Sequence, residues 1–246
     1  MIANEPRCVY RKNPLAEVIC QLRFPEILTI HTQIPDRFQE AIRQVFPKYA
    51  LVKEGPAGQN QTNNYHFLTA DGVYRVNLTS KFISLSCSRY TCWEDFARML
   101  DKPLAAFIQI YQPAYFERVG LRYLNFISRQ QLQLEGIPFR ELMNSCYLGI
   151  LSQEDVVETA TTRCAVEADT ALRGGCRAKI HAGPGKVSRG GKSDPEVKFI
   201  FDLDLYMAGN VPVNVSAGAL QTLHSQSYGI FRGAITDTLH DAMDPK

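Results

Sequence analysis

Arginines and small polar residues alternate with apolar residues along two neighbouring segments, "VYRVNLTS" and "FISLSCSRY". This spacing of two places their side chains on one side of a β-strand. Guanidinium groups interspersed with hydroxyls and amides can bind a carboxylate, a phosphate or a peptide backbone. The residues with this spacing are Arg75, Asn77 and Thr79 in the first segment and Ser84, Ser86 and Ser88 in the second.

Two segments of the chain, "EVICQLRF" and "ERVGLRYLNFI", are similar in sequence and have an arginine at the same relative position. These arginines are Arg23 and Arg122. Leu124 and Phe126 follow Arg122 on its own face of the predicted strand. An arginine beside large apolar neighbours is either desolvated and paired or part of a recognition surface. We therefore hypothesise a binding face, with an ordinary solvated sheet face as the alternative. The hypothesis names Arg23, Arg75, Asn77, Arg89 and Arg122.

Asp202-x-Asp204 in "FIFDLDLY" places two carboxylates on one face of a strand, as two-metal sites require. Glu167 and Asp169 are candidates to approach them from a neighbouring strand. The same alternation is found on any half-exposed strand, and a nucleotidyl transferase would need a Gly-Ser turn that "SDPEVK" does not supply. The sequence favours a solvent face without metal, and Asp202, Asp204 and Glu167 remain the metal alternative.

A basic, glycine-rich stretch runs over residues 173–198, and such loops can cradle phosphates. The Walker pattern fails, because Gly191-Lys192-Ser193 would need a glycine at position 186 and no helix pattern follows. The stretch predicts a solvated hairpin loop, with phosphate or nucleic-acid contact as the alternative. Its named basic residues are Arg177, Lys179, Lys186, Arg189 and Lys192.

The elements that must position these residues repeat along the chain. The first half predicts β-α-β-β-β-β-α, with Pro35 near a helix start and Asp71-Gly72 as a hairpin turn. A Thr91-x-x-Glu94 capping box begins the next helix, which Pro103 should kink or split. The second half predicts β-α-β-β-β-α, with a helix over "PFRELMNSCYLGIL" and strands at "VVETATTRCAVEAD", "GCRAKIHAG" and "EVKFIFDLDLYM".

This order predicts an α+β protein built from two β-α-β(3–4)-α units, residues 1–115 and 116–246, with one continuous domain as the alternative. Antiparallel, curved sheets with helices on one face are the expected packing. By element order, and not by any shared motif, the arrangement is similar to the saddle of TATA-binding-protein-like folds, an analogy that carries no function.

Several phrases together, "NPLAEVICQLRFP", "IPDRFQEAIRQVFP", "VYRVNLTSKFISLSCSRYTCWEDF", "FERVGLRYLNFI" and "FRGAITDTLHDAM", give the chain a family likeness. It resembles a sporadically distributed family of uncharacterised bacterial and archaeal proteins of about this length. The region from Gln130 to Ser193 departs most from that pattern. The resemblance implies a horizontally moved gene of the kind found in accessory, toxin–antitoxin or phage-defence loci, and it brings no activity or catalytic residues.

The composition bounds the remaining alternatives. A net charge of +2 does not by itself make a nucleic-acid binder, and the N-terminus has no apolar segment typical of a signal peptide. Seven cysteines without a CxxC pair are typical of buried thiols in the cytoplasm. We expect a cytoplasmic, non-enzymatic binding or regulatory protein without a cofactor or a membrane. A protein partner is expected first and nucleic acid second, through residues 173–198. The alternative is a metal-dependent enzyme acting on phosphodiesters or nucleotides.

Overall fold

The computed structural model of the chain describes residues 6–55, 61–189 and 191–246, including the backbone but not the side chain of Arg189. These residues form runs of strands interrupted by helices, which makes the protein a mixed α+β structure, as predicted. The strands are β1 Leu15–Arg23, β2 Lys48–Glu54, β3 Thr62–Leu68, β4 Tyr74–Leu78, β5 Phe82–Cys87, β6 Phe116–Ile127, β7 Val166–Ala171, β8 Arg177–Arg189 and β9 Lys192–Val211. The helices are α1 Leu28–Thr32, α2 Asp36–Ile42, α3 Trp93–Tyr111, α4 Arg129–Leu132, α5 Ser216–Ala234 and α6 Asp237–Ala242.

Hydrogen bonds order the described strands as β2-β3-β4-β5-β1-β6-β9-β8-β7. The pairs β2–β3, β3–β4, β4–β5, β5–β1 and β7–β8 are antiparallel. The chain divides into two compact units. The first unit comprises Glu17–Leu121 and Tyr206–Thr222, and the second comprises Met1–Ala16, Arg122–Leu205 and Leu223–Lys246. The predicted division between residues 115 and 116 stays a prediction.

The core of the first unit lies between one face of its strands and the helices α2 and α3. Every second residue of β1 is buried, as its sequence alternation predicts. Aromatic side chains join the layers: the ring centroids of Phe24 and Phe107 lie 4.6 Å apart, and those of Phe38 and Phe67 lie 5.5 Å apart. The strand residues buried on this face include Val18, Cys20, Leu22, Val76, Leu78, Ile83 and Leu85.

The core of the second unit lies against the buried face of β9. Phe201 packs edge-on against Tyr147, with 5.2 Å between ring centroids, and Phe199 lies 5.3 Å from Phe139. Helix α5 adds Leu223, Ile230 and Ala234, all fully buried. The alternation predicted for β9, with its phenylalanines and leucines inward and its aspartates outward, is confirmed.

Two segments of the second unit, one around Tyr10 and one around Pro245, run side by side. Tyr10 and Pro245 form an isolated antiparallel β-bridge. Around it, the Arg11 amide donates to the Asp244 carbonyl at 3.0 Å, and the Lys246 amide donates to the Val9 carbonyl at 2.9 Å.

Residues 138–151 do not form the predicted helix. They form three separate 3₁₀ turns, Phe139–Glu141, Ser145–Tyr147 and Gly149–Ser152. Asn144 interrupts them with an extended backbone, and Gly149 has a positive φ of 55° that a continuous α-helix does not allow. The prediction was wrong because a spacing of three or four apolar residues suits successive 3₁₀ turns as well as a helix.

Helix α3 also departs from its predicted start and from its predicted break. Its N-cap is Cys92, without a capping side chain, and the Thr91 hydroxyl donates instead to Asp95 at 2.9 Å, so the predicted capping box is not formed. Pro103 lies inside one continuous helix of 19 residues, so the predicted split does not occur, and the alternative of a kink stays a prediction.

Two strands replace the loop predicted over residues 173–198. β8 extends to Arg189 and β9 begins at Lys192, so Gly183 and Gly185 lie within a strand and not in a loop. A Cβ atom at Gly183 would meet the backbone oxygen of Cys164, and one at Gly185 would lie 2.6 Å from Ile200 Cδ1. These glycines permit close approach of β8 to its neighbours. The strand predicted over residues 156–169 begins only at Val166.

We expect the substitution Gly183→Ala to lower the free energy of unfolding by about 1–3 kcal/mol, because backbone atoms must move to admit the methyl group. Gly218→Ala is the matched control, since a Cβ there meets nothing within 4 Å and the residue lies in α5. It should raise stability by about 0.5 kcal/mol. Urea denaturation checks both, and equal effects of the two substitutions would contradict the close approach at Gly183.

Candidate functional site: the polar face of the first unit

The strand register collects polar residues in one row across the first unit. His66 of β3 is paired with Asn77 of β4, Asn77 with Ser84 of β5, and Ser84 with Gln21 of β1. Directly paired residues point to the same side of a sheet, so these four side chains share the face opposite the apolar core.

The neighbouring row adds a cation to the same face. Arg75 of β4 is paired with Ser86 of β5, two residues along from Asn77 and Ser84. Ser84 is 3% exposed and Ser86 is 6% exposed, although both lie on the polar side. The surface is called the polar face below. Its members are Gln21, Arg23, His66, Arg75, Asn77, Ser84 and Ser86.

Three residues in neighbouring positions of the polar face each have a buried atom without a hydrogen-bond partner: His66 Nε2, Arg75 Nε and Asn77 Oδ1. Leaving one such group unsatisfied costs about 1–3 kcal/mol. Most buried polar groups in native proteins have a partner. Three unsatisfied groups in neighbouring register positions therefore mark the part of this sheet that is best prepared to accept hydrogen bonds from, and donate them to, another molecule.

The electrostatics of the polar face keep His66 neutral. Burial lowers the pKa of His66 from its ordinary value of 6.5, the positive charge of Arg75 lowers it further, and the Glu54 carboxylate opposes the shift. The Arg75 guanidinium is only loosely paired, with its Nη2 atom 3.9 Å from Glu17 Oε1. At neutral pH the face thus carries a donor cation beside a neutral ring that donates at one nitrogen and accepts at the other.

The arrangement suits recognition better than nucleophilic catalysis. Strand β4 separates His66 from Ser84, which puts about 10 Å between their backbones and leaves them too far apart for a Ser–His pair. Cys87 is fully buried on the apolar side, and burial raises the pKa of its thiol. Amides, hydroxyls and one guanidinium can together bind a group that both donates and accepts hydrogen bonds.

The structure places the five predicted binding residues in three different settings. Arg75 and Asn77 lie within the polar face, and Arg23 lies at its margin, where its Nε atom donates to Gln21 Oε1 at 3.2 Å. Arg89 is exposed beyond the end of β5. Arg122 belongs to the second unit and is bound to a carboxylate there.

Arg122 and Asp202 form a two-point ion pair. Arg122 Nε donates to Asp202 Oδ1 at 2.7 Å, and Nη2 donates to Oδ2 at 2.5 Å. The side chain of Asp202 is 18% exposed and that of Arg122 is 44% exposed. The pair removes Arg122 from an open binding face, and it engages the first carboxylate of the metal alternative.

Glu167 and Asp169 are engaged across the β7–β8 ladder, while Asp204 lies on β9 two residues after Asp202. Glu167 is bound to His181 Nδ1, while Asp169 Oδ1 accepts from Arg177 Nη2 at 2.8 Å and Asp169 Oδ2 lies 3.9 Å from Lys179 Nζ. Within the described ranges, no three His, Cys, Asp or Glu side chains form a group that could hold a metal ion. The structure therefore does not assemble Asp202, Asp204 and Glu167 into a metal site.

The basic stretch is partly neutralised by the same ladder. Arg177 and Lys179 face Asp169, whereas Lys186 and Lys192 are exposed near the ends of β8 and β9. The side chain of Arg189 lies outside the described residues.

No protein-family model and no curated protein matches this chain. None of the helices in the described part of the chain has the length and apolar character that crossing a membrane would need.

The sequence hypothesis missed two members of the polar face, Gln21 and His66, and His66 carries one of the unpartnered atoms. The signal was present, because the Asp71-Gly72 turn links β3 to β4 and His66 alternates with Tyr65 and Phe67. Gly72 adopts a positive φ of 73°, and Asp71 accepts a hydrogen bond from the Val73 amide at 3.1 Å. Counting outward from this turn puts His66 opposite Asn77.

We expect the pKa of His66 to rise toward 6.5 in Arg75→Gln and to stay below it, because burial remains when the charge is removed. Glu54→Gln should shift it the opposite way. Because the folded pKa is below the unfolded one, stability contributed by neutral His66 is present above pH 6.5 and is lost as the pH falls through the folded pKa. NMR titration of the imidazole checks this, and an unchanged pKa in both variants would contradict the electrostatic picture.

The Arg122–Asp202 pair should show a coupling free energy of about 1 kcal/mol at low salt in a double-mutant cycle with Arg122→Gln and Asp202→Asn. The coupling should fall as salt rises, because both groups keep some contact with solvent. The more exposed Arg98–Asp95 pair is the control, with an expected coupling of about 0.3 kcal/mol. A coupling of zero for Arg122 and Asp202 would show that the ion pair adds nothing to stability.

Proposed function

We propose that the protein is a non-enzymatic binding or regulatory protein that presents the polar face of its first unit to a protein partner. The observation that carries the proposal is the set of three neighbouring unpartnered atoms on His66, Arg75 and Asn77. A buried polar group without a hydrogen-bond partner lowers the stability of the folded protein. In natural proteins such destabilising features are concentrated at functional sites.

The chemistry of the polar face favours a protein partner over nucleic acid. A peptide backbone offers donors and acceptors in alternation, which matches a face holding Arg75 as donor, Asn77 Oδ1 as acceptor and serines that do both. Phosphates offer acceptors alone and are bound by clustered cations. The cation of Arg75 faces the Glu17 carboxylate, and Arg23 lies beside an amide. Contact with nucleic acid through residues 173–198 would depend on Lys186 and Lys192.

The proposal extends to the organisation and setting of the chain. The strand order supports an internal duplication, because β3-β4-β5-β1 on one side is mirrored by β6-β9-β8-β7 on the other, with the first strand of each half innermost. This mirrored order also supports the likeness to a TATA-binding-protein saddle. The sequence resemblance to a sporadically distributed family supports an accessory role in a toxin–antitoxin or phage-defence locus, in the cytoplasm.

The proposal predicts opposite effects on stability and on binding at one position. Asn77→Val removes an unpartnered buried atom and places a β-branched residue on a strand, so the free energy of unfolding should rise by about 1 kcal/mol. The same substitution should abolish partner capture. The measurements are chemical denaturation and native affinity purification of tagged protein from its source cells, with mass spectrometry and ultraviolet absorbance of the eluate, followed by titration of the purified partner.

Asn63→Val is the matched control. Asn63 lies on β3, the strand next to Asn77, and its side chain points to the opposite side of the sheet from His66. The Asn63 Nδ2 atom donates a hydrogen bond to Tyr65 Oη at 3.4 Å. This change should not raise stability and should leave capture unchanged. If Asn77→Val destabilises the protein, Asn77 has a structural role. If it stabilises the protein and the partner still binds with unchanged affinity, the polar face is not the binding surface.

A further inference from the structure

Strand β2 leaves one of its edges open. Among the described strands it has β3 on one side and no neighbour on the other. All seven of its residues are exposed. An edge strand presents a row of backbone amides and carbonyls that can pair with another strand.

The side chains of β2 are unusually apolar for such an edge. Tyr49 is 46% exposed, Leu51 is 45% exposed and Val52 is 39% exposed. Native edges are often protected by proline, bulges or charged side chains, especially lysine. The charged residues of β2 lie only at its ends, with Lys48 at the start and Lys53 and Glu54 at the end, so the middle of the strand is apolar.

This sequence is complementary to itself in an antiparallel pairing centred on Leu51. Lys48 of each copy would lie opposite Glu54 of the other, so both ends of the pairing carry opposite charges. Leu51 would lie opposite Leu51, and Ala50 opposite Val52. Tyr49 would lie opposite Lys53, whose methylene groups can cover the aromatic ring.

The charged groups at the two ends of β2, Lys48 and Glu54, can each form further hydrogen bonds with a second chain. Lys48 Nζ donates one hydrogen bond to the Ala70 carbonyl at 2.5 Å, and an ammonium group has three donors. Glu54 Oε1 accepts one hydrogen bond from Asn64 Nδ2 at 2.7 Å, and the second carboxylate oxygen can accept others.

We propose that the open edge of β2 binds β2 of a second copy of this chain and forms a two-fold symmetric dimer. The same patch serves both copies, as closed two-fold assemblies require. Because directly opposed residues share a face, the polar faces of the two copies lie on the same side of the joined strands. The dimer is independent of the proposed function, since its contacts come from β2.

Charge reversal at residues 48 and 54 tests the pairing of the two β2 strands. If these residues only stabilised the fold of one chain, mixing the two variants would not restore dimerisation. In Lys48→Glu, both ends bring glutamate against glutamate, and in Glu54→Lys both ends bring lysine against lysine. Each variant alone should dimerise about tenfold more weakly, or worse, than the unaltered chain. An equimolar mixture should form a heterodimer, because every residue 48 then faces an opposite charge at residue 54. Analytical ultracentrifugation measures all four samples.

Lys102→Glu is the control, because it makes the same charge change at an exposed position of α3 and should leave the dimer intact. Leu51→Lys places two lysines at the symmetry axis and should yield monomers. Circular dichroism verifies that each variant is folded. A monomeric unaltered chain overturns the proposal. The proposal is also overturned if the equimolar mixture associates no better than the single variants. In that case the open edge of β2 binds a strand of a different protein or binds no strand.

Discussion

Strand register is the constraint on which the rest of the first unit depends. Burying Cys20, Val76 and Leu85 against α2 and α3 requires each strand to turn every second residue away from the helices. A shift of one residue would exchange the two faces of a strand, so the apolar core fixes the pairing. The same pairing brings His66 to Asn77 on the opposite side. The candidate site is therefore built by the core, although none of its residues belongs to the core.

The sequence was informative where a short-range signal decided the outcome. The alternation of β1 and β9 and the Asp71-Gly72 turn each depend on residues close in sequence, and all three were predicted. Five members of the polar face, Arg23, Arg75, Asn77, Ser84 and Ser86, followed from the same reasoning.

The sequence was uninformative where the role of a residue depends on a contact with a residue far away in the chain. Arg122 and Asp202 are separated by 80 positions, and each kept two interpretations until their contact was seen. The prediction of a loop over the glycine-rich stretch, residues 173–198, was wrong for a related reason. Gly183 permits contact with the backbone at Cys164, and sequence cannot separate a glycine needed for close packing from one needed for a loop.

The bridge between Tyr10 and Pro245 has a consequence for polypeptides joined to these two segments. The hydrogen bonds around the bridge, such as the one from the Arg11 amide to the Asp244 carbonyl, hold the two segments side by side within the second unit. A polypeptide joined to one segment would therefore leave the unit beside a polypeptide joined to the other, and a force that pulls the two segments apart would act directly on these hydrogen bonds.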